Sequence, residues 1–508
     1  MTHNPASHRL ARAALAALAV FALATGAARA AFDEVVIDAG FVVDHALLHG
    51  RFDRDDNRFV VVAGHDEDFT QHVALYRVDG SGAAPRRLAA LNPGAELVAY
   101  DVGRIGDRDV LAFLAPGRLL RFDPATQSVT ELLAVDSLYG QERTAGIVPL
   151  DFLRDLNDDG LDDLLVPDLA GHRVRLQLPG GGFGDEVLLE QSVAMKLGES
   201  GARFEPRALH VADSNFDGLS DIVTWRGDAF HIYRQRSDHR FDSEPLVQPL
   251  GLGLPTEAQL RALDLDRGAV DQSKLTTRRI WTVADFNGDE LLDVLTEARL
   301  SEGVFDKRNT FAVHFGRRDG DRLSYSATED ARLNSKGLQF GLVNTDLDGD
   351  GRKDVIVRKV KLNLGRVIGA MLSGSVSLQI EFFKMTGDER FAERADFETK
   401  TKVKFSMSSG QIDIPVVRVA DFNGDGRQDL ALETRKEKLA VYDGVAGDAL
   451  FAEAALELDV PLPRNGELVE ATDLNGDERA DLVVRYTVAD GDAAARTVRL
   501  LLSTPPLP

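Results

Sequence analysis

"VADFNGDGRQDLAL", residues 419–432, gathers Asp421, Asn423, Asp425 and Asp429 around Gly424 and Gly426 and then runs straight into an apolar segment. Carboxylates this close repel one another, so the arrangement is unfavourable unless a cation sits among them. Oxygen ligands at positions 1, 3, 5 and 9 of a tight loop, with the backbone carbonyl of position 7, can surround one ion from a single segment. Hard oxygen donors without His or Cys select calcium over zinc or copper, and a flexible cage of many oxygens suits calcium better than magnesium. The expected ligands here are Asp421, Asn423, Asp425, Asp429 and the carbonyl of Arg427, with Gly426 permitting the turn.

The pattern Asp-x-Asn/Asp-x-Asp-x-x-x-Asp occurs six times without a gap. The first copy offers Asp155, Asn157, Asp159, the Leu161 carbonyl and Asp163; the second offers Asp213, Asn215, Asp217, the Leu219 carbonyl and Asp221. Asp285, Asn287, Asp289, Leu291 and Asp293 follow, then Asp346, Asp348, Asp350, Arg352 and Asp354. The loop at Asp421 is the fifth, and Asp473, Asn475, Asp477, Arg479 and Asp481 form the last. Up to six calcium ions are expected. Asx-turn chemistry alone would account for one such loop, but not for six in register. An EF-hand needs a bidentate Glu at position 12 and flanking helices. Position 12 is Val166, Thr224, Thr296, Val357, Leu432 and Val484, none of which can ligate.

Two weaker copies lie upstream: "DVGRIGDRD" from Asp101 and "RFDRDDNRF" from Arg51. Both read as the same unit with its metal site decayed. The eight starts are 50, 54, 58, 72, 61, 75 and 52 residues apart, the length of a four-stranded module. In the seventh unit "DIPVVRVAD" enters the loop, "DLALET" leaves it, and "KLAVYDG" and "AALELDV" follow. These are short alternating or apolar runs bounded by turn residues, with no helical period. Four antiparallel strands repeated radially make a β-propeller. After the eighth loop only "DLVVRYTV" and "RTVRLLLS" remain, while "FDEVVIDAG" near the N-terminus is a spare strand. The expected fold is therefore an all-β propeller of eight blades closed by the N-terminal strand, with seven blades as the alternative.

Residues 1–30 combine a basic segment, a short apolar run and the small-residue sequence "ARA", the pattern of a secretory signal peptide cleaved near Ala30. Residues 31–508 would then form a single propeller domain, secreted or periplasmic. Loss of the segment removes three arginines and no acid, taking the net charge from −23 to −26. A surface so acidic argues against nucleic acid and anionic membranes as partners. No cysteine is present, which excludes disulfides. A monomer is expected.

The six loops and their β-patterned flanks resemble the calcium loops of FG-GAP/VCBS repeats, the blades of integrin α-subunits and of many exported bacterial proteins. The resemblance implies calcium between the innermost and second strands of each blade. It implies little about function, because the fold hosts adhesion modules, lectins and polysaccharide lyases. The chain departs from the pattern at Glu290 and Glu478, where a turn glycine is expected.

No HExxH, GxSxG or phosphate-cradling glycine loop is present. "GGG" at 180–182 reads as a strand-end turn, "RGD" at 226–228 as the turn after "SDIVTW", and Trp225 and Trp281 as core residues in strands. The function expected is a non-catalytic binding protein with a protein or glycan ligand; the alternative is a polysaccharide lyase on the same scaffold. Insertions near 254–278, where Thr256 is placed to cap a helix, and near 358–375 are expected opposite the calcium face, as a candidate binding surface.

Overall fold

The computed structural model describes residues 31–505 apart from 46, 53–57, 79–84, 93–95, 139–146, 192–193, 199–200, 206–207, 257–258, 260–275, 302–306, 337, 362–368, 370–372, 406–411, 436 and 448. Eight antiparallel sheets, each with a core of four strands, follow one another as the blades of a propeller. Blade seven shows the plan: Val417–Ala420, Asp429–Arg435, Lys438–Tyr442 and Leu456–Asp459 lie side by side in chain order. The second strands explain the near-continuous apolar runs after each acidic loop. Asp429–Arg435 is buried from Asp429 through Leu432, and Asp481–Val484 is buried throughout, because each second strand is covered on both faces by neighbouring blades.

The hydrophobic core is divided among the seams between blades. Phe286, Leu295 and Phe311 of blade five meet Val355, Val357 and Phe383 of blade six. Leu347, Ile356 and Ile380 of blade six meet Leu430, Leu432 and Phe451 of blade seven. Eight such clusters form, one for each seam of an eight-membered ring. The eighth seam joins the chain's ends: Val35 and Ile37 pack with Val483 and Leu500 against Val60 and Val62 of blade one. Ala31–Asp38 pairs antiparallel with Thr497–Thr504, from Ala31 opposite Thr504 to Asp38 opposite Thr497, and so supplies the last blade's outer strand. This is the closure expected from the sequence, and it settles eight blades over seven.

Smaller expectations fall into place. Gly180 and Gly181 lie in the turn of the short hairpin between Gln177–Leu178 and Gly182–Phe183, and Gly182 opens its second strand. The Arg226–Asp228 tripeptide turns the chain between Asp221–Arg226 and Ala229–Tyr233, and the Asp228 carboxylate accepts the Leu252 and Gly253 amides at 3.0 and 2.9 Å. Trp225 stacks on His210, and Trp281 meets Phe311 edge-on. Thr256 and Gln259 exchange side-chain to backbone hydrogen bonds as a capping pair. Most of the two insertions, residues 260–275, 362–368 and 370–372, lies outside the described residues, as does the segment 1–30. Among the described residues no helix is long and apolar enough to cross a membrane.

Candidate metal centre

All six acidic loops connect a first strand to a second strand, and all close on the same register. The residue before position 1 pairs with position 9: Arg154 with Asp163, Ala212 with Asp221, Ala284 with Asp293, Thr345 with Asp354, Ala420 with Asp429 and Thr472 with Asp481. Within this frame the chain curls around its own carboxylates. In blade seven Asp421 accepts the amides of Gly424, Asp425 and Gly426 at 2.6, 3.2 and 2.7 Å. Asn423 Oδ1 accepts the Asp425 amide at 3.0 Å, and Asp425 Oδ1 accepts the Arg427 amide at 2.9 Å. The same amide-to-carboxylate bond from position 7 to position 5 recurs in the other five loops.

Such a curl needs left-handed backbone at positions 4 and 6. Gly424 and Gly426 supply it at φ 76° and 84°. Glu290 and Glu478 adopt it too, at φ 67° and 64°, and still donate their amides to Asp285 and Asp473 at 2.9 and 3.1 Å. The two loops without glycine at position 6 therefore keep the common shape, as do the two with Asp158 and Phe216 at position 4, φ 57° and 63°, at a cost in backbone strain of about 1 kcal/mol each.

Position 9 has a second role that the sequence pattern did not reveal. Asp429 is fully buried; its Oδ2 accepts the Phe422 amide at 2.9 Å and its Oδ1 the Gly444 amide at 2.6 Å. Asp163, Asp221, Asp293, Asp354 and Asp481 do the same, each tying its loop to the segment after the third strand or, for Asp481, to Ser503 in that strand. Burial pushes the carboxyls of Asp163, Asp293, Asp354 and Asp429 up to about 7 and that of Asp481 to about 6, against the opposing pull of their backbone hydrogen bonds. An acid beginning an apolar run was the available signal: an aspartate with no water around it must find donors in the fold.

The arginines at position 7, read from sequence only for their carbonyls, also act through their side chains. Arg352, Arg427 and Arg479 each pair with the position-5 carboxylate of their own loop, Asp350, Asp425 and Asp477. The loops also touch one another. Lys353 donates its amide to the Phe286 carbonyl, Gln428 to that of Leu347 and Ala480 to that of Asp421, linking blades five to eight in series.

Blade six brings the acids closest together. Asp346, Asp348 and Asp354 each place one carboxylate oxygen within 4.8 Å of the others. Asp348 Oδ1 is buried there without a hydrogen-bond partner. Its other oxygen lies 3.5 Å from the Lys384 ammonium, and a cation among the three acids would partner the oxygen that Lys384 leaves without a donor. The donor set is all oxygen, as a hard divalent ion requires.

Blade two departs from the sequence expectation. Asp101 does not begin a loop: it lies inside the strand Ala99–Ile105, and only Gly106 and Asp107 connect that strand to Arg108–Ala115. The carboxylate of Asp101, 7 % exposed, accepts the Phe152 and Leu153 amides of blade three, both at 2.8 Å. It is a buried clamp between blades rather than a decayed first ligand. Gln177 holds the shortened turn, accepting the Gly106 amide at 2.6 Å and donating to the carbonyls of Arg104 and Asp162. In the segment from Arg51, residues 53–57 lie outside the described residues.

A family model for the FG-GAP-like repeat matches residues 346–432, the stretch that holds the loops at Asp346 and Asp421. No curated protein matches the chain. Among solved structures, a lectin from Agrocybe aegerita that recognises non-reducing terminal N-acetylglucosamine is similar at 14 % identity and a TM-score of 0.42, over 92 % of this chain and 98 % of that one. A protein of unknown function from Desulfotomaculum acetoxidans is similar at 11 % identity and a TM-score of 0.31, over 70 % and 86 % of the two chains. The WD40 domain of SCAP from fission yeast is similar at 9 % identity and a TM-score of 0.27, over 84 % and 98 %.

Proposed function

From the premise that this chain is an eight-bladed β-propeller of FG-GAP-like repeats, we propose that it is an exported, non-catalytic binding protein whose scaffold is braced by calcium. The observation that carries the calcium reading is the blade-six cluster, where three carboxylates converge and one buried oxygen lacks a partner. The shared curl of the other five loops extends it, and six divalent ions would bring a mature charge of −26 to −14. Calcium would neutralise acids that otherwise repel one another, and by binding the folded state alone it would stabilise that state by mass action. The chain's own residues set the site: position 1 fixes the curl, positions 3 and 5 turn it, and position 9 fastens it to the blade.

Export is supported by the three-part order of residues 1–30. A binding role accords with a rigid ring presenting many loops on one face, the usual arrangement for recognition on a stable frame. Metal analysis of the purified mature protein, with melting curves before and after chelation, tests the calcium reading. N-terminal sequencing of the exported chain tests cleavage near Ala30.

A further inference from the structure

Blade two lacks a loop where six other blades have one, and the face that carries the acidic loops is correspondingly notched. The notch is a cavity of about 740 Å³ over the end of blade two, bounded by Leu161 of blade three's loop, the Pro179–Gly181 turn and Phe52 of blade one. Its volume lies in the range of small-ligand sites. We propose that this cavity binds a neutral saccharide, an inference that rests on the binding role above and names its site.

The lining decides the chemistry. Its floor is apolar: Phe52, Ile105, Val110 and Phe122 are all less than one-tenth exposed. Its walls alternate in charge, with Asp107, Asp109 and Asp123 set among Arg108 and Arg121. These groups are held in place by the fold. Asp109 accepts the Arg51 amide at 2.7 Å, Asp123 the Ala125 amide at 2.9 Å, and Arg121 Nε donates to Thr130 Oγ1 at 3.4 Å. Carboxylates accept from hydroxyls and guanidinium groups donate to them, so the walls offer a sugar both kinds of partner, while its C–H face meets the apolar floor. An anionic ligand would face three carboxylates on a mature chain of net charge −26, the full sequence's −23 less three arginines. A cationic one would meet two arginines. Among the described residues the walls are nearly balanced, which favours a neutral polyol over either.

The test uses the full mature protein, calcium-replete, on an array of neutral, uronic-acid and amino-sugar oligosaccharides, with a Lys-rich peptide as a fourth probe. Neutral oligosaccharides are the expected ligands, and Arg121→Ala and Asp123→Ala should each weaken their binding at least tenfold. Both side chains are at the surface, so melting temperature and metal content should match the parent. His239→Ala, in a separate cavity between blades three and four, should leave binding unchanged. Retention of no neutral oligosaccharide, preference for the uronic acids, the amino sugars or the peptide, or neutral-sugar binding indifferent to both substitutions would overturn the site. A calcium content of about six ions alongside any of those results would leave the scaffold reading standing.

Discussion

In blade seven the chain takes the long way from Ala420 to Asp429, curling through left-handed Gly424 and Gly426 around acids that accept its own amides. In blade two the same connection is Gly106 and Asp107 alone, pinned by the buried amide of Gln177. Both blades use the same strand order and both seal their seams with apolar side chains. The comparison teaches that the blade does not need the acidic loop in order to form. On the calcium reading proposed above, the loop is an addition that would make six blades responsive to a cation; without it, blade two is braced by neutral hydrogen bonds and by Asp101.

The largest effect that would break this comparison is removal of metal. Each site occupied at calcium a hundredfold above its Kd adds about 2.7 kcal/mol, so six together should amount to on the order of 10 kcal/mol or more. Chelation is therefore expected to lower the melting temperature by more than about 10 °C, with recovery on adding calcium. An unchanged melting curve would mean that the loops are as self-sufficient as blade two.

Single substitutions sharpen the contrast. Asp421→Ala removes the acceptor of three loop amides and should cost about one ion per chain and roughly 2–4 kcal/mol. Asp101→Ala strands two buried amides and should also destabilise, by about 1–3 kcal/mol, but with no loss of metal. Metal analysis of both variants separates loop from clamp.

The Asp101 clamp has its own signature in pH. Burial raises this carboxyl from its ordinary 3.8 to about 7 in the folded protein, outweighing its three backbone hydrogen bonds. The folded state then holds a proton that the unfolded state releases, so the contribution is fully present below about pH 4 and is lost as pH rises through 7. Between those limits Asp101→Asn should flatten the fall of stability with pH by about 1.4 kcal/mol per unit relative to the parent. Parallel curves for the two proteins would show that Asp101 is ionised in the fold. A smaller effect is expected at Glu290 and Glu478. Glycine there should relieve left-handed strain and add about 0.5–1 kcal/mol without reducing metal content.

Much of the architecture was legible because the repeat carries it. The starts at 155, 213, 285, 346, 421 and 473 counted six blades directly, and the orphan strand after Phe32 foretold the closure that Ala31–Asp38 makes with Thr497–Thr504. The resemblance to FG-GAP/VCBS repeats implied that each loop joins first and second strands, and the structure agrees, with an apolar run buried on both faces after position 9. Blade two was misread at Asp101 because a nine-residue pattern cannot tell an aspartate in a turn from one in a strand. That difference is set by donors more than fifty positions away, Phe152 and Leu153. The same holds for the inward bonds of position 9 and for the cavity over blade two, which is made by what three blades leave unfilled.

Calcium stoichiometry of the purified mature chain, measured by elemental analysis after equilibration at millimolar calcium, tests the division between the two kinds of blade most directly. The account predicts about six ions per chain, five in Asp421→Ala, and six in Asp101→Ala. A parent that retains none, or an equal loss of metal in the two variants, would contradict it.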